Sequence, residues 1–281
     1  MKYFIYNGKF HQQGSAIIRA DNRGLRFGDG VFETMTMTNG DILFEDEHFS
    51  RLWKSMKILE FELPKHFTVE QLQNEIKNLA KKNQHTNHAR IRLTIVRGDG
   101  GLYDALNHFP NYIIETWPLT QDTGQWNSNG LVLGIYEGTK KSCDILSNLK
   151  HNNYLPNVLA ALAAKKLKWN DAILLNANGR ICETTIGNIF IVKDGVIYTP
   201  SLSEGCIAGI MRRAVIKNLQ SDNLSMFEKH INTEDLINAD EVFVTNSVYK
   251  LRWVKSIGER TYHNAVSQKI FASLSKTILK L

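Results

Sequence analysis

A chain of 281 residues is long enough to bury one large core or two modest ones. With 43% apolar and 22% charged residues it has a globular composition. No run approaches the ~20 apolar residues of a membrane helix. Its net charge of +6 is spread along the chain, and the densest clusters, Lys81-Lys82 and Lys165-Lys166, are short and fall on predicted helices, which reads as solvated helix faces rather than a nucleic-acid surface.

Three cysteines, Cys143, Cys182 and Cys206, are too few for a disulfide framework and lack metal-ligand spacing, which points to a reducing compartment. Polar Asn7-Gly8-Lys9 interrupts the first apolar stretch, so no secretory signal is expected and the protein is placed in the cytoplasm.

In chain order, residues 3–5 and those around Ile17-Ile18 predict short strands divided by a turn at Asn7-Gly8. Residues 22–30, with three glycines, predict an irregular loop. Residues 31–37 alternate as a strand, and Asn39-Gly40 is a hairpin turn into residues 42–44. A helix starts at Glu45 with Phe49, Leu52, Trp53 and Met56 on one face. Thr68 caps another, striped by Leu72, Ile76 and Leu79. Residues 89–96 form a strand whose period of two sets Arg90 and Arg92 against Ile91 and Leu93. A further strand covers residues 112–116.

Residues 118–130 are polar and lack periodicity, the pattern of a linker between a small N-terminal α/β domain (1–117) and a larger C-terminal domain (131–281). That larger part opens with a strand at 131–136 and a helix at 153–168 that buries Leu155, Leu159, Leu162 and Ala163. A β-meander over 172–198 follows, turning at Asn178-Gly179 and Asp194-Gly195. A helix over 207–219, elements at 233–237 and 241–245, and a C-terminal helix from Ala265 complete an α+β chain in two unequal parts.

Within this second part stand a lysine after a polar loop (Lys150), an acid past the first hairpin turn (Glu183) and a glycine-led helix start (Gly209-Ile210-Met211). A base, an acid and an anion site in that order are what pyridoxal 5'-phosphate requires: an amine for its aldehyde, a carboxylate for its ring nitrogen, helix-start N–H groups for its phosphate.

The wording of these stretches, Ser147-Asn148-Leu149-Lys150 and Glu183 to Asn188-Ile189-Phe190, resembles the class IV (fold type IV) pyridoxal-phosphate aminotransferases, a family of branched-chain aminotransferases, D-amino-acid transaminases and aminodeoxychorismate lyases. Asp29-Gly30-Val31-Phe32-Glu33, His48-Phe49-Ser50-Arg51-Leu52 and the run from Asp240 to Ser247 extend the likeness over nearly the whole chain. The resemblance implies a two-domain fold with a barrel-like core in the larger part, and a homodimer with its active site near the interface. It makes Lys150 the Schiff-base lysine, with a depressed pKa, and Glu183 the partner of the pyridine nitrogen. Tyr154 would bond the cofactor's phenolic oxygen. Arg51, the Ile210 and Met211 backbone N–H groups and the Ser247 hydroxyl would hold the phosphate.

On substrate the signs divide. Phe32 stands where D-amino-acid transaminases have a carboxylate-binding tyrosine, and Leu102 where the lyases have an arginine. Gly209-Ile210-Met211-Arg212 and Thr245-Asn246 are similar to the lyase branch, and Met211 replaces the threonine of most transaminases. Arg26, Arg90 and Arg92 are the candidate carboxylate ligands, with Arg90 and Arg26 as the α-carboxylate trap and Arg92 where branched-chain enzymes have an arginine. The expected activity is transfer of an amino group from a D-amino acid or branched-chain L-amino acid to a 2-oxo acid such as 2-oxoglutarate. The alternatives are pyruvate elimination from aminodeoxychorismate, in folate synthesis, and a basic binding module without catalysis.

Overall fold

In the computed structural model, which describes residues 2–277, the chain divides into two compact units. One comprises the residues up to Thr123 together with Lys150–Asn153; the other comprises Gly124–Leu149 and the chain from Tyr154 onward. The chain therefore leaves the second unit for four residues, and Lys150 is the first of them.

The first unit begins with β1 (Tyr3–Tyr6) and β2 (Lys9–Gln12). Asn7 and Gly8 both have positive φ, 47° and 77°, the geometry of a two-residue hairpin turn, so the partner strand starts at Lys9. The segment around Ile17-Ile18 is not a strand. The predicted loop at 22–30 contains a short helix, α1 (Arg23–Phe27). Asn22 caps its start by accepting from the Leu25 N–H, and Gly28 ends it in the left-handed region. Then come β3 (Gly30–Thr38), β4 (Asp41–Ile42), α2 (Glu45–Ile58), α3 (Val69–Asn83), β5 (His88–Arg97) and β6 (Pro110–Pro118).

The strands form one antiparallel sheet in the order β2-β1-β6-β5-β3-β4. Met35, Met37, Ile91, Leu93 and Ile95 of the sheet are fully buried with Leu52 and Met56 of α2 and Leu72, Ile76 and Leu79 of α3. The period-two reading of β5 thus holds, with Arg90 and Arg92 on the face away from this core. Because β4 is only two residues long, the start of β3 keeps an open edge, and residues 150–152 fill it. Phe32 N–H donates to the Lys150 carbonyl (2.8 Å) and Asn152 N–H to the Gly30 carbonyl (3.0 Å).

The second unit holds β7 (Leu131–Lys141), α4 (Leu155–Lys166), β8 (Asp171–Asn176), β9 (Ile181–Thr184), β10 (Asn188–Lys193), β11 (Val196–Pro200), α5 (Ile210–Ser221), β12 (Met226–Lys229), α6 (Thr233–Ile237), β13 (Glu241–Asn246), β14 (Lys250–Ile257), β15 (Arg260–Thr261) and α7 (Ala265–Thr277). Its sheet runs β12-β11-β10-β13-β14-β7-β8-β9, with β15 paired to β14. It mixes parallel and antiparallel pairs and curls until β9 lies beside β10. The fold is α+β, as expected.

One expectation fails on α4. Leu155, Leu159 and Leu162 are 73%, 44% and 60% exposed in the chain, while Ala160 and Ala164 take the buried positions. An apolar stripe fixes which face avoids water, not what covers it, and here small residues pack against β7 and β8.

Candidate active site

In the first unit, a buried ion cluster lies under β3. Glu33, on the core side of the strand, accepts from Arg51 Nε (2.7 Å) and Nη2 (2.6 Å) and from His48 Nδ1 (2.7 Å). Both partners project from α2, three residues apart, so they share a face. Burial pushes the Glu33 carboxyl up, but the Arg51 charge and the His48 contact outweigh it and hold it down at about 2. Burial also depresses His48 against the pull of Glu33, leaving the ring neutral and its Nδ1–H as the donor.

Phe32, next in the strand, turns to the opposite face. Lys150 Nζ lies 4.4 Å from its ring centroid and Arg92 Cζ 3.8 Å. Arg92 Nε also donates to Thr94 Oγ1 at 3.1 Å. The structure thus brings Lys150 and Arg92 to one aromatic ring. Arg90, two residues along β5, stacks on Trp117 at 5.3 Å, and Glu115 faces Arg92 across the β5–β6 pair. Arg26 is exposed and donates from Nε to the Ala20 carbonyl at 3.0 Å. Its helix sits by Val96, where a Cβ on Gly24 would collide. Arg90 is six residues further along the strand, about 20 Å away. Arg26 and Arg90 of one chain do not meet on one carboxylate.

The glycine loop is tied down by two arginines that the sequence reading passed over. Asp29 bridges Arg23 (2.8 Å) and Arg97 (3.0 Å). Arg23 also donates to the Gly100, Leu102 and Tyr103 carbonyls, which fixes the loop after β5. Leu102, where the lyase arginine is expected, is 70% exposed on that loop.

In the second unit, Glu183, next to last in β9, is buried. Lys141, at the end of β7, forms an ion pair with its Oε1, and the Ile207 N–H donates to Oε2 at 2.9 Å. Lys141 is a functional candidate absent from the sequence reading. Burial lowers its ammonium pKa, Glu183 raises it, and the net shift is upward.

The segment carrying Ile207 is held by Asn148, which donates to the Leu202 and Cys206 carbonyls at 2.8 and 2.7 Å. It leads into α5, three residues later than predicted. Gly209 is its N-cap, without a side-chain cap. Glycine is required there, since a Cβ would run into Asn188 Oδ1.

Asn188 pairs across the sheet with Thr245. Thr245 is 2% exposed, and its Oγ1 has no hydrogen-bond partner among the described residues. A buried, unpartnered hydroxyl beside an uncapped helix start, whose first N–H groups have no intrahelical acceptor, fits a phosphate group. Ile210 and Met211 open that helix. Ser247 is half-buried in the turn after β13, and its carbonyl accepts from Lys250 Nζ at 3.0 Å. Lys250 is buried, and desolvation pulls its pKa down to about 8. Tyr154 stands half-buried at the N-cap of α4.

Among the described residues no cluster suits a metal ion, and no helix is long and apolar enough to cross a membrane.

The family model for amino-transferase class IV matches residues 30–257. The chain is 28% identical to a D-alanine aminotransferase of Bacillus licheniformis over 270 residues, 92% of this chain and 89% of that one. It is 30% identical to an aminodeoxychorismate lyase of Bacillus subtilis over 260 residues, 91% of this chain and 87% of the relative. Among solved structures, a branched-chain aminotransferase of Thermoproteus uzoniensis superposes with a TM-score of 0.89 at 25% identity, covering 99% of this chain and 95% of its own. Class IV aminotransferases use pyridoxal 5'-phosphate. The chain belongs to this amino-transferase class IV family of pyridoxal-phosphate enzymes.

Proposed function

We propose that the protein is an aminotransferase with a ping-pong mechanism, taking the amino group of a D-amino acid or branched-chain L-amino acid and passing it to a 2-oxo acid such as 2-oxoglutarate. The observation that carries the reading is the pairing of Lys150 Nζ and Arg92 on the ring of Phe32. It supports the reading because an amine able to move a proton at the substrate Cα and a guanidinium able to hold the substrate carboxylate contact the same ring.

Pyridoxal phosphate, when bound, supplies the aldehyde that accepts the amino group and the ring that draws electrons from Cα. In this proposal Lys150 is the covalent anchor and then the base. Glu183 holds the proton on the ring nitrogen, and Tyr154 donates to the phenolic oxygen. Arg51, oriented by Glu33, holds the phosphate with the Ile210 and Met211 N–H groups and Ser247. Arg92 is the first carboxylate ligand, with Arg90 beside it and Arg26 as a candidate from a second copy. The leucine face of α4 supports a homodimer, because so much exposed aliphatic surface is unusual on a monomer. The unbonded Cys143, Cys182 and Cys206 support a cytoplasmic setting.

Pyruvate elimination from aminodeoxychorismate is the second reading, favoured by Met211 and by the 30% identity to a lyase. The test begins with borohydride reduction of the protein loaded with pyridoxal phosphate, digestion and mass spectrometry. A phosphopyridoxyl group on Lys150 is expected; its absence would overturn the anchor. Donors are then assayed against 2-oxoglutarate, with aminodeoxychorismate in parallel. Pyruvate from the latter, without glutamate from any donor, would replace the first reading by the second.

A further inference from the structure

Lys141 forms a buried ion pair with Glu183, yet it has no part in the proposed chemistry. Their side chains are 10% and 3% exposed. The pair arises from the sheet order: β7 lies beside β8 and β8 beside β9, so the ends of β7 and β9 approach one another although they are 42 residues apart in the chain.

An ionised carboxylate has roughly four lone-pair positions. Glu183 uses one on Oε1 for Lys141 and one on Oε2 for the Ile207 N–H, which leaves acceptor capacity for a further donor. The neighbouring thiols do not compete for the ammonium. Burial, reinforced by Glu183, pushes Cys182 well up and Cys206 up to about 12, so both stay neutral. Without Lys141, Glu183 would be a buried anion supported by one backbone N–H, and such groups take up a proton. A protonated Glu183 would offer an O–H where the ring nitrogen needs an acceptor for its own N–H.

We propose that Lys141 is a positioning residue for Glu183: its ammonium keeps the carboxylate ionised and fixes one oxygen, so that the remaining lone pairs accept from the protonated ring nitrogen of pyridoxal phosphate. The proposal rests on the assignment of Glu183 to that nitrogen.

The test titrates apoenzyme with pyridoxal phosphate between pH 6 and 9, following affinity by fluorescence quenching and the absorption band of the bound form. K141M is expected to weaken binding at least about 10-fold near pH 6 and to shift the band, with the affinity loss shrinking as rising pH re-ionises Glu183. K141R should bind within about threefold of the parent, because it restores the cation. K141M with unchanged affinity and spectrum, where E183Q alters both, overturns the role of Lys141. E183Q that alters neither overturns the assignment of Glu183 instead. If K141M does not fold, the K141M/E183Q protein, which carries no uncompensated charge, is compared with E183Q. Equal affinities support the proposal, and a further loss overturns it, because Lys141 would then act on the cofactor by another route.

Discussion

Each unit buries a carboxylate against a cation, Glu33 in the first and Glu183 in the second, and these two pairs are built differently. Glu33 receives three hydrogen bonds, two from the fork of Arg51 and one from His48, which nearly exhausts its acceptors. Glu183 receives two, from a lysine point charge and a backbone N–H. A bidentate arginine saturates and orients a carboxylate, whereas a lysine neutralises it and leaves lone pairs over. The first arrangement serves the fold and the pose of Arg51. The second leaves acceptors over for the ligand that we propose. Both acids occur in stretches that resemble family motifs, so only their partners tell them apart.

The contrast breaks most visibly in stability. Glu33→Gln leaves the Arg51 guanidinium, 11% exposed, without its anion, and removing one member of a buried pair costs about 3–5 kcal/mol. Urea unfolding of the apo form should show that loss in E33Q and a smaller one in E183Q. A loss below about 1 kcal/mol in E33Q would make the cluster dispensable and end the comparison.

Acid titration sharpens the same point. The Glu33 pKa is depressed to about 2 in the folded chain, below an unfolded value of about 4.3. Its contribution is therefore complete above the unfolded pKa and is lost as pH falls toward 2, worth about 3 kcal/mol. His48 is also depressed, by burial. It favours the folded state fully above about pH 6.5 and gives up that support as the unfolded chain takes a proton below it. Wild-type stability should fall in these two stages, and E33Q should lose the lower one. An unchanged lower stage in E33Q would assign it to other acids.

How far the sequence reaches is visible in these residues. The face of β5 that carries Arg90 and Arg92 was legible from a period of two, and the start of α3 from Thr68, whose hydroxyl accepts the Gln71 N–H at 3.1 Å. Local geometry fixes such features. Lys141 was not legible, because its importance comes from a strand order that no local pattern states. The helix α1 was hidden because glycine argues for a loop, while the caps at Asn22 and Gly28 decide otherwise. The leucines of α4 were assigned to the core because periodicity is silent about the covering surface. The roles expected of Lys150, Glu183 and Arg51 rest on resemblance; what the structure adds is their neighbours.

The open face of the first unit's sheet yields the third expectation. Arg92 shares Phe32 with Lys150, while Arg90 stacks on Trp117. If Arg92 holds the substrate carboxylate, R92A should raise KM for amino donors by about 10- to 100-fold, the worth of a charge-assisted bond. R90A should do less, and affinity for pyridoxal phosphate should hold in both. The reverse order of KM effects would return the carboxylate to Arg90.

The smallest effect concerns Asn246, whose letter resembles the lyase branch. Its Oδ1 accepts from the Val248 and Tyr249 N–H groups at 3.0 and 2.7 Å, so the side chain closes the turn after β13 in the manner of an Asx turn. That turn carries Ser247 and ends at Lys250, whose φ of 62° is strained for a non-glycine residue. A residue spent on backbone amides has little left for a substrate, so Asn246→Ala should cost about 1 kcal/mol of stability. It should also loosen phosphate-dependent binding slightly through Ser247, and leave the ratio of transamination to pyruvate elimination unchanged. A shift in that ratio, measured with both substrates on the same preparation, would show that Asn246 reaches the chemistry after all. Its likeness to the lyases would then mark function where the turn geometry marks only shape.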